Sequence, residues 1–240
     1  HLTNRRQRQM CIRDRAKQYI QQVIDLSKEL DFELGIALAY ELIGKYNAFL
    51  GKDTETIEYV EKALKIANKF DNTSMLKATL LSQQGHSYTN LGNTKKALEM
   101  YHKALPYTQK FKHPNAIIDL NNGLGLTYSQ LGALDLAMEY YMKCIDTFDS
   151  LPKDQLSKRG KAVVYGNMGK LLYTIGNHAD SLLYHKKALK IKEEIEDNAG
   201  MLNGWIHLGI MELEQDKFEE ALAYFMLSLI HISEPTRHVD

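Results

Sequence analysis

The sequence predicts an all-α chain, an α-solenoid of antiparallel helix pairs. Three observations carry this prediction. A glycine-centred pattern recurs five times along the chain. Within each recurrence, small and bulky residues are spaced three and four apart, which puts them on one helical face. The 240 residues include only four prolines and few valines, so little in the composition favours strands. With 44% hydrophobic and 25% charged residues, the chain has the make-up of a folded protein rather than a disordered one.

The recurrences begin with "GKYNAFLGKDTETIEYVEKAL" at Gly44 and "GHSYTNLGNTKKALEMYHKAL" at Gly85. "GLTYSQLGALDLAMEYYMKCI" follows at Gly125, "GKLLYTIGNHADSLLYHKKAL" at Gly169, and "GIMELEQDKFEEALAYFM" at Gly209. The steps are 41, 40, 44 and 40 residues. A fixed period in this range marks a repeat array, in which each unit cannot bury its apolar face alone.

Each unit reads as two amphipathic helices. The first carries the glycine, usually with an apolar or aromatic residue four before it: Tyr40, Leu81, Tyr165 or Trp205. The missing side chain there predicts close approach of a neighbouring helix. Seven residues on, a second glycine closes the helix at Gly51, Gly92, Gly132 and Gly176. That is the left-handed position after the helix end, where glycine has no Cβ penalty. Five residues later a small residue opens the second helix: Thr56, Ala97, Ala137, Ser181 and Ala221. A bulky and then a small residue follow on the same face, as in Tyr101 and Ala104, or Tyr141 and Cys144. The longest step holds the insertion "SLPKDQLSKRG", where Pro152 is expected to break the helix.

This pattern resembles the tetratricopeptide repeat, whose motif runs W-x2-L-G-x2-Y, then G, then A-x3-F-x2-A. The third unit matches at Leu124, Gly125, Tyr128, Leu131, Gly132, Ala137, Tyr141 and Cys144. The last matches at Trp205, Leu208, Gly209, Ala221 and Phe225. The resemblance covers about residues 16–226, starting with an orphan second helix at 16–30. Units are expected at about 32–71, 73–112, 113–150, 157–196 and 197–226. The period exceeds the 34 residues of the basic repeat, which implies longer helices. Long repeats of this kind are similar to those of kinesin light chains and spindle adaptors, and of bacterial sensor kinases and quorum-peptide receptors. "ALKIKEEIEDNAGMLNGWIHLG" is most like the last bacterial group.

The resemblance implies a right-handed superhelix whose first helices line a concave groove. It places groove positions three before, one after, and four to five after the first glycine. These are Glu41, Lys45, Ala48 and Phe49 in the first unit, and Ser82, His86, Thr89 and Asn90 in the second. In the third they are Asn122, Leu126, Ser129 and Gln130, and in the fourth Gly166, Lys170, Tyr173 and Thr174. Asn167 and Asn203 sit nearby. The set is polar and mostly uncharged. Side-chain amides both donate to and accept from a peptide backbone, which suits an extended peptide held by a ladder of asparagines. The chaperone-type clamp for a C-terminal carboxylate fits less well. Lys45 and Lys170 stand in its lysine positions, but His86, Leu126 and Ile210 take the others.

No catalytic constellation emerges, and the segment reads as a non-enzyme without cofactor or metal. His86, His102, His113, His178, His185 and His207 are scattered and lack the HExxH spacing. "GKYNAFLGK" and "GNTKK" follow no strand, so they are not phosphate loops. Cys144 occupies the small core position, where a thiol is buried and inert. Formal net charge is zero, which gives no electrostatic case for nucleic acid or an anionic membrane. No apolar run reaches the roughly 18 residues of a membrane span.

The two ends differ from the middle. Residues 16–226 hold 23 lysines and one arginine, Arg159, whereas the ends hold six arginines and no lysine. Back-translation accounts for this. "LSLIHISEPTR" and "RRQRQMCIRDR" resemble the two transposon-derived adapters of sequencing libraries, read in frame. The segment encoding "LSLIHI" is the reverse complement of that encoding "MCIRDR". Residues 1–15 and 227–240 are therefore expected to be adapter-derived, leaving a net charge of −3. On this reading Met10 is not a start, Cys11 is not native, and the parent protein extends both ways. "LSLIHI" nevertheless continues the register of the last helix, with Ser228 at a small-residue position. This predicts helix up to about Ser233–Pro235.

The function expected is an interaction scaffold that binds a protein or peptide in its groove. The alternative is the sensor or regulatory repeat region of a bacterial signalling enzyme, such as a histidine kinase or nucleotide cyclase. A quorum-peptide-responsive regulator, which needs a separate output domain, ranks below both.

Overall fold

The computed structural model describes residue 15 and residues 18–111, 113–152 and 157–233. Residues 1–14 and 234–240 of the expected adapter segments, residues 16 and 17 at the start of the orphan helix, and residues 153–156 of the insertion lie outside the described residues. Among the described residues there are eleven α-helices and no strand. Helix α1 covers 18–29. It is followed by α2 (Glu33–Phe49), α3 (Asp53–Ala67), α4 (Ser74–Asn90), α5 (Thr94–Phe111) and α6 (Pro114–Gln130). Then come α7 (Leu134–Ser150), α8 (Lys158–Thr174), α9 (His178–Glu194), α10 (Asn198–Leu213) and α11 (Phe218–Ser233). The chain divides into two units, residues 1–116 and 117–240.

Helices end where the sequence places the left-handed residue. Gly51, Gly92, Gly132 and Gly176 have φ between 70° and 82°. At Gly51 the amide donates to Ala48 O, and the Lys52 amide donates to Asn47 O. This double bond satisfies two of the carbonyls that a helix end leaves unpaired. The same geometry recurs without glycine at Asp31, Glu196 and Asp216, with φ of 50°, 53° and 59°. Asp216 stands seven residues after Gly209, at the repeat's closing-glycine position. At the N-termini, Ser157, Asn177 and Asp197 each accept from the amide three residues on, at 3.1–3.2 Å. Helix α7 stops before Pro152, with Leu151 extended at ψ 145°, as the proline ring requires of the preceding residue.

Pairing within a repeat is set by a ring laid over a glycine. A Cβ built on Gly85 would meet the Tyr101 ring at 2.6 Å. Gly125 has the same relation to Tyr141 and Gly209 to Phe225, and Gly169 faces His185 at 2.8 Å. Each ring lies sixteen residues after its glycine. The small position four residues earlier lets the backbones approach. Where it is hydroxylated, it binds the glycine carbonyl: Ser181 Oγ donates to Gly169 O at 2.8 Å, and Thr56 Oγ1 to Gly44 O at 3.2 Å. A buried hydroxyl is thus satisfied rather than orphaned.

In the first unit Val60, Ala63, Ala67 and Leu80 form a buried cluster between α3 and α4. In the second, Tyr141, Cys144, Phe148, Val164, Met168 and Leu171 form the main core between α7 and α8. Leu189, Met201, Trp205 and Leu208 join α9 to α10. Cys144 is fully buried, its Sγ 3.5 Å from Ile118 O, and burial pushes its thiol up to about 12. It is an inert core residue at neutral pH. Helix α11 continues through Ser228, which is buried, and ends at Ser233.

Candidate functional site

In the second unit, the expected groove residues lie on α6, α8 and α10. Asn167 Nδ2 donates to Asn122 Oδ1 at 2.9 Å, which ties α8 to α6. Both side chains are half-buried. One bond leaves Asn122 two donors and Asn167 an acceptor, so the amide pair retains the capacity to bind a backbone. Three residues along α8 stands Lys170, exposed, and three further Tyr173, half-buried. The Tyr173 hydroxyl donates to both Glu214 carboxylate oxygens at 2.6 Å, linking α8 to α10. This hydrogen bond holds its phenol above the ordinary value. Gln130 and Asn203 are exposed. Thr174 spends its hydroxyl on Lys170 O in its own helix.

The same region holds two histidines that the sequence left scattered. His185 and His207 stack with centroids 5.6 Å apart. Burial, reinforced by His207, Lys170 and Lys192, pulls His185 down to about 4. Burial with Lys170 and Lys192 also lowers His207. Both rings are therefore neutral at pH 7. Glu212, buried at 4% exposure, lies between Lys186 at 3.6 Å and Lys217 at 3.3 Å.

In the first unit the expected residues are less presented. Glu41 is buried and pairs with the exposed Lys45 at 2.5 Å. Ser82 and Thr89 are buried at 6% and 1%, and Thr89 binds Gly85 O in its own helix. They face the packed interior rather than an open surface, because their turn of α4 is enclosed by neighbouring helices. His86 packs edge-on against Tyr101 at 5.5 Å. Asn90 is exposed and donates to Asp53 at 3.1 Å. Phe49, at 83% exposure, is the most accessible aromatic on α2. Gln83, which no sequence motif marks, has a buried amide that is received by the open side of Gly44 and has no hydrogen-bond partner.

Among the described residues, no group of three or more His, Cys, Asp or Glu could hold a metal ion. No described helix is long and apolar enough to cross a membrane.

The sequence profile of the tetratricopeptide repeat matches residues 76–150 and 160–229, more than half the chain. The chain belongs to the tetratricopeptide repeat family. An 84-residue stretch is 34% identical to tetratricopeptide repeat protein 29 of Macaca fascicularis, and spans 17% of that protein's length. Among solved tetratricopeptide-like folds, BtubC from P. vanneervenii superimposes with a TM-score of 0.74 at 21% identity, over 95% of this chain and 92% of that one. A Rap protein complexed with competence and sporulation factor gives 0.72 at 15% identity, over 85% of this chain and 55% of that one. A signal transduction ATPase with a tetratricopeptide repeat sensor from Pyrococcus horikoshii gives 0.67 at 15% identity, over 90% and 33%. At these identities the structural likeness shows the fold. The tetratricopeptide repeat motif also explains the glycine-and-ring register: its first-helix glycine and second-helix aromatic are the pair that meets in the Gly85, Gly125, Gly169 and Gly209 hairpins.

Proposed function

We propose that the chain is a protein-interaction scaffold, and that its second unit binds an extended peptide or partner segment along α6, α8 and α10. The observation that carries this is the Asn122–Asn167 amide pair. Two half-buried amides on adjacent first helices, with the cation of Lys170 and the ring of Tyr173 following along α8, form a graded polar track. Such a track pairs with peptide backbone groups through the donors and acceptors that remain. The zero net charge favours a protein ligand over nucleic acid. The Rap protein, similar in fold, is complexed with competence and sporulation factor, which supports the same reading.

A second reading is a sensor region of a larger signalling enzyme. It is favoured by the fold's likeness to the tetratricopeptide repeat sensor of the signal transduction ATPase. Both readings require ligand capture by the repeats, and they differ in what the capture controls.

Hydrogen exchange of the full chain, with and without a 12-residue peptide selected from a random display library, tests the site. New protection on α6, α8 and α10 is expected. Protection confined to other helices, or no selectable peptide, would overturn the proposal.

A further inference from the structure

A second regularity runs through the repeats on the other side of the first helices. Fifteen residues after the packed glycine stand Tyr59, Tyr140 and Tyr184, and three further stand Lys62, Lys143 and Lys187. In each case the ammonium sits over the ring, at 4.7, 4.5 and 4.9 Å from its centroid. Two of these tyrosines also pair with a tyrosine four before the glycine. Tyr40 meets Tyr59 at 5.8 Å, and Tyr165 meets Tyr184 at 5.6 Å. Lys161 and Lys187 lie over the Tyr165 ring at 5.5 and 5.8 Å. In the Gly169 repeat these rings and lysines fill the space beside α8, against α7 and α9.

The Gly85 repeat lacks both rings. Leu81 and Met100 take the two tyrosine positions, while Lys103 and Lys77 keep the lysine positions equivalent to Lys187 and Lys161. The space the rings would fill is open. A pocket of about 550 Å³ lies between α3, α4 and α5, with Leu64, Leu81 and Met100 among its walls. That volume is within the roughly 300–1,000 Å³ of sites that hold small ligands or side chains. On α4 its residues lie on the opposite face from His86 and Asn90, at 100° per residue.

Charge around the pocket is asymmetric. Lys77, Lys96 and Lys103 line it against two carboxylates, Glu61 and Glu99. Both carboxylates are engaged: Glu61 accepts from Gln84 at 3.2 Å, and Glu99 from Lys103 at 2.7 Å. Lys103 is the first cause of a lowered Glu99 carboxyl, with Lys96 and Lys95 adding to it, so the local field is positive. Lys96 already lies over the Tyr88 ring at 5.3 Å, which shows the same cation-to-ring chemistry at the pocket wall.

We propose that this pocket is a second recognition site, taking an aromatic side chain flanked by carboxylates from a partner protein. The guest ring replaces the tyrosine pair that the Gly44 and Gly169 repeats supply themselves. Its flanking carboxylates meet Lys77, Lys96 and Lys103. The site is independent of the α6–α8–α10 track and stands or falls separately from it.

The test is an amide-shift titration of the full chain with acetyl-Glu-Glu-Tyr-Glu-Glu-amide. Saturable shifts on α3, α4 and α5 are expected. Replacing the peptide's tyrosine by alanine, or its glutamates by lysines, should each weaken binding at least tenfold. Leu81→Tyr restores the repeat's own ring and should abolish binding. Lys103→Glu, at an exposed position, should weaken it at least tenfold with an unchanged melting temperature. Asn122→Ala should leave it unaltered. Equal affinity for the alanine peptide, undiminished binding by a folded Leu81→Tyr or Lys103→Glu protein, or no saturable shift would overturn the proposal.

Discussion

The ring of Tyr101 lies across the backbone of Gly85, so close that a Cβ there would come within 2.6 Å of it. Tyr101 is itself fully buried, so the ring has nowhere to retreat. The relation repeats at Gly125 with Tyr141 and at Gly209 with Phe225. It fixes how the two helices of these hairpins meet, and through them which side chains their first helices present.

Gly85→Ala is therefore expected to destabilise the chain by about 1–3 kcal/mol, the usual cost of overpacking a filled core. Gly166→Ala is the control. Nothing lies within 4 Å of its Cβ position, and alanine in a helix interior gains about 0.5–1 kcal/mol over glycine. Thermal unfolding of the two variants should move in opposite directions, by a few degrees each way. A shared direction would show that the ring-on-glycine contact does not govern pairing.

The non-glycine left-handed ends are a reserve of stability. Asp216 and Glu196 hold φ of 59° and 53° in the double-bonded helix ending. A side chain costs roughly 1–2 kcal/mol in that conformation. Asp216→Gly and Glu196→Gly should each raise the denaturant midpoint by an amount equivalent to about 1 kcal/mol. An unchanged midpoint would mean that their side chains recover the strain through contacts of their own.

His185 makes the second unit sensitive to acid. Its folded value lies near 4, below the ordinary 6.5, through burial first and then His207, Lys170 and Lys192. The folded state therefore binds fewer protons than the unfolded one. Its contribution is complete above pH 6.5 and is lost as pH falls toward 4. The difference corresponds to at most about 3 kcal/mol. Urea unfolding between pH 7.5 and 4 should show this loss. His185→Phe, which copies Phe225 over Gly209, should flatten that part of the profile. Equal slopes for the two proteins would assign the acid sensitivity elsewhere.

The repeat itself was legible because its causes are local. A glycine at a helix end and a small residue opposite a bulky one leave marks at fixed spacing, and Gly51, Gly92, Gly132 and Gly176 stand at positive φ as read. The site was legible only in outline. Asn122 and Asn167 could be placed on corresponding turns, but their bond joins residues 45 apart in sequence. Ser82 has the same register position as Asn122 and yet is buried. A period of 3.6 fixes a face without saying how far the neighbouring helix overhangs it. The pocket near Leu81 was hidden for a related reason: Leu81 and Met100 keep the apolar pattern while removing both rings.

The most direct test of the interaction reading is the affinity of a library-selected 12-residue peptide for Asn122→Ala and Asn167→Ala. Each substitution removes one half-buried amide, and with it a hydrogen bond to the peptide backbone that contributes about 0.5–1.5 kcal/mol to binding. We expect each variant to bind roughly tenfold more weakly, a change of about 1.4 kcal/mol, with its melting temperature unchanged. Wild-type affinity in both variants would contradict the account.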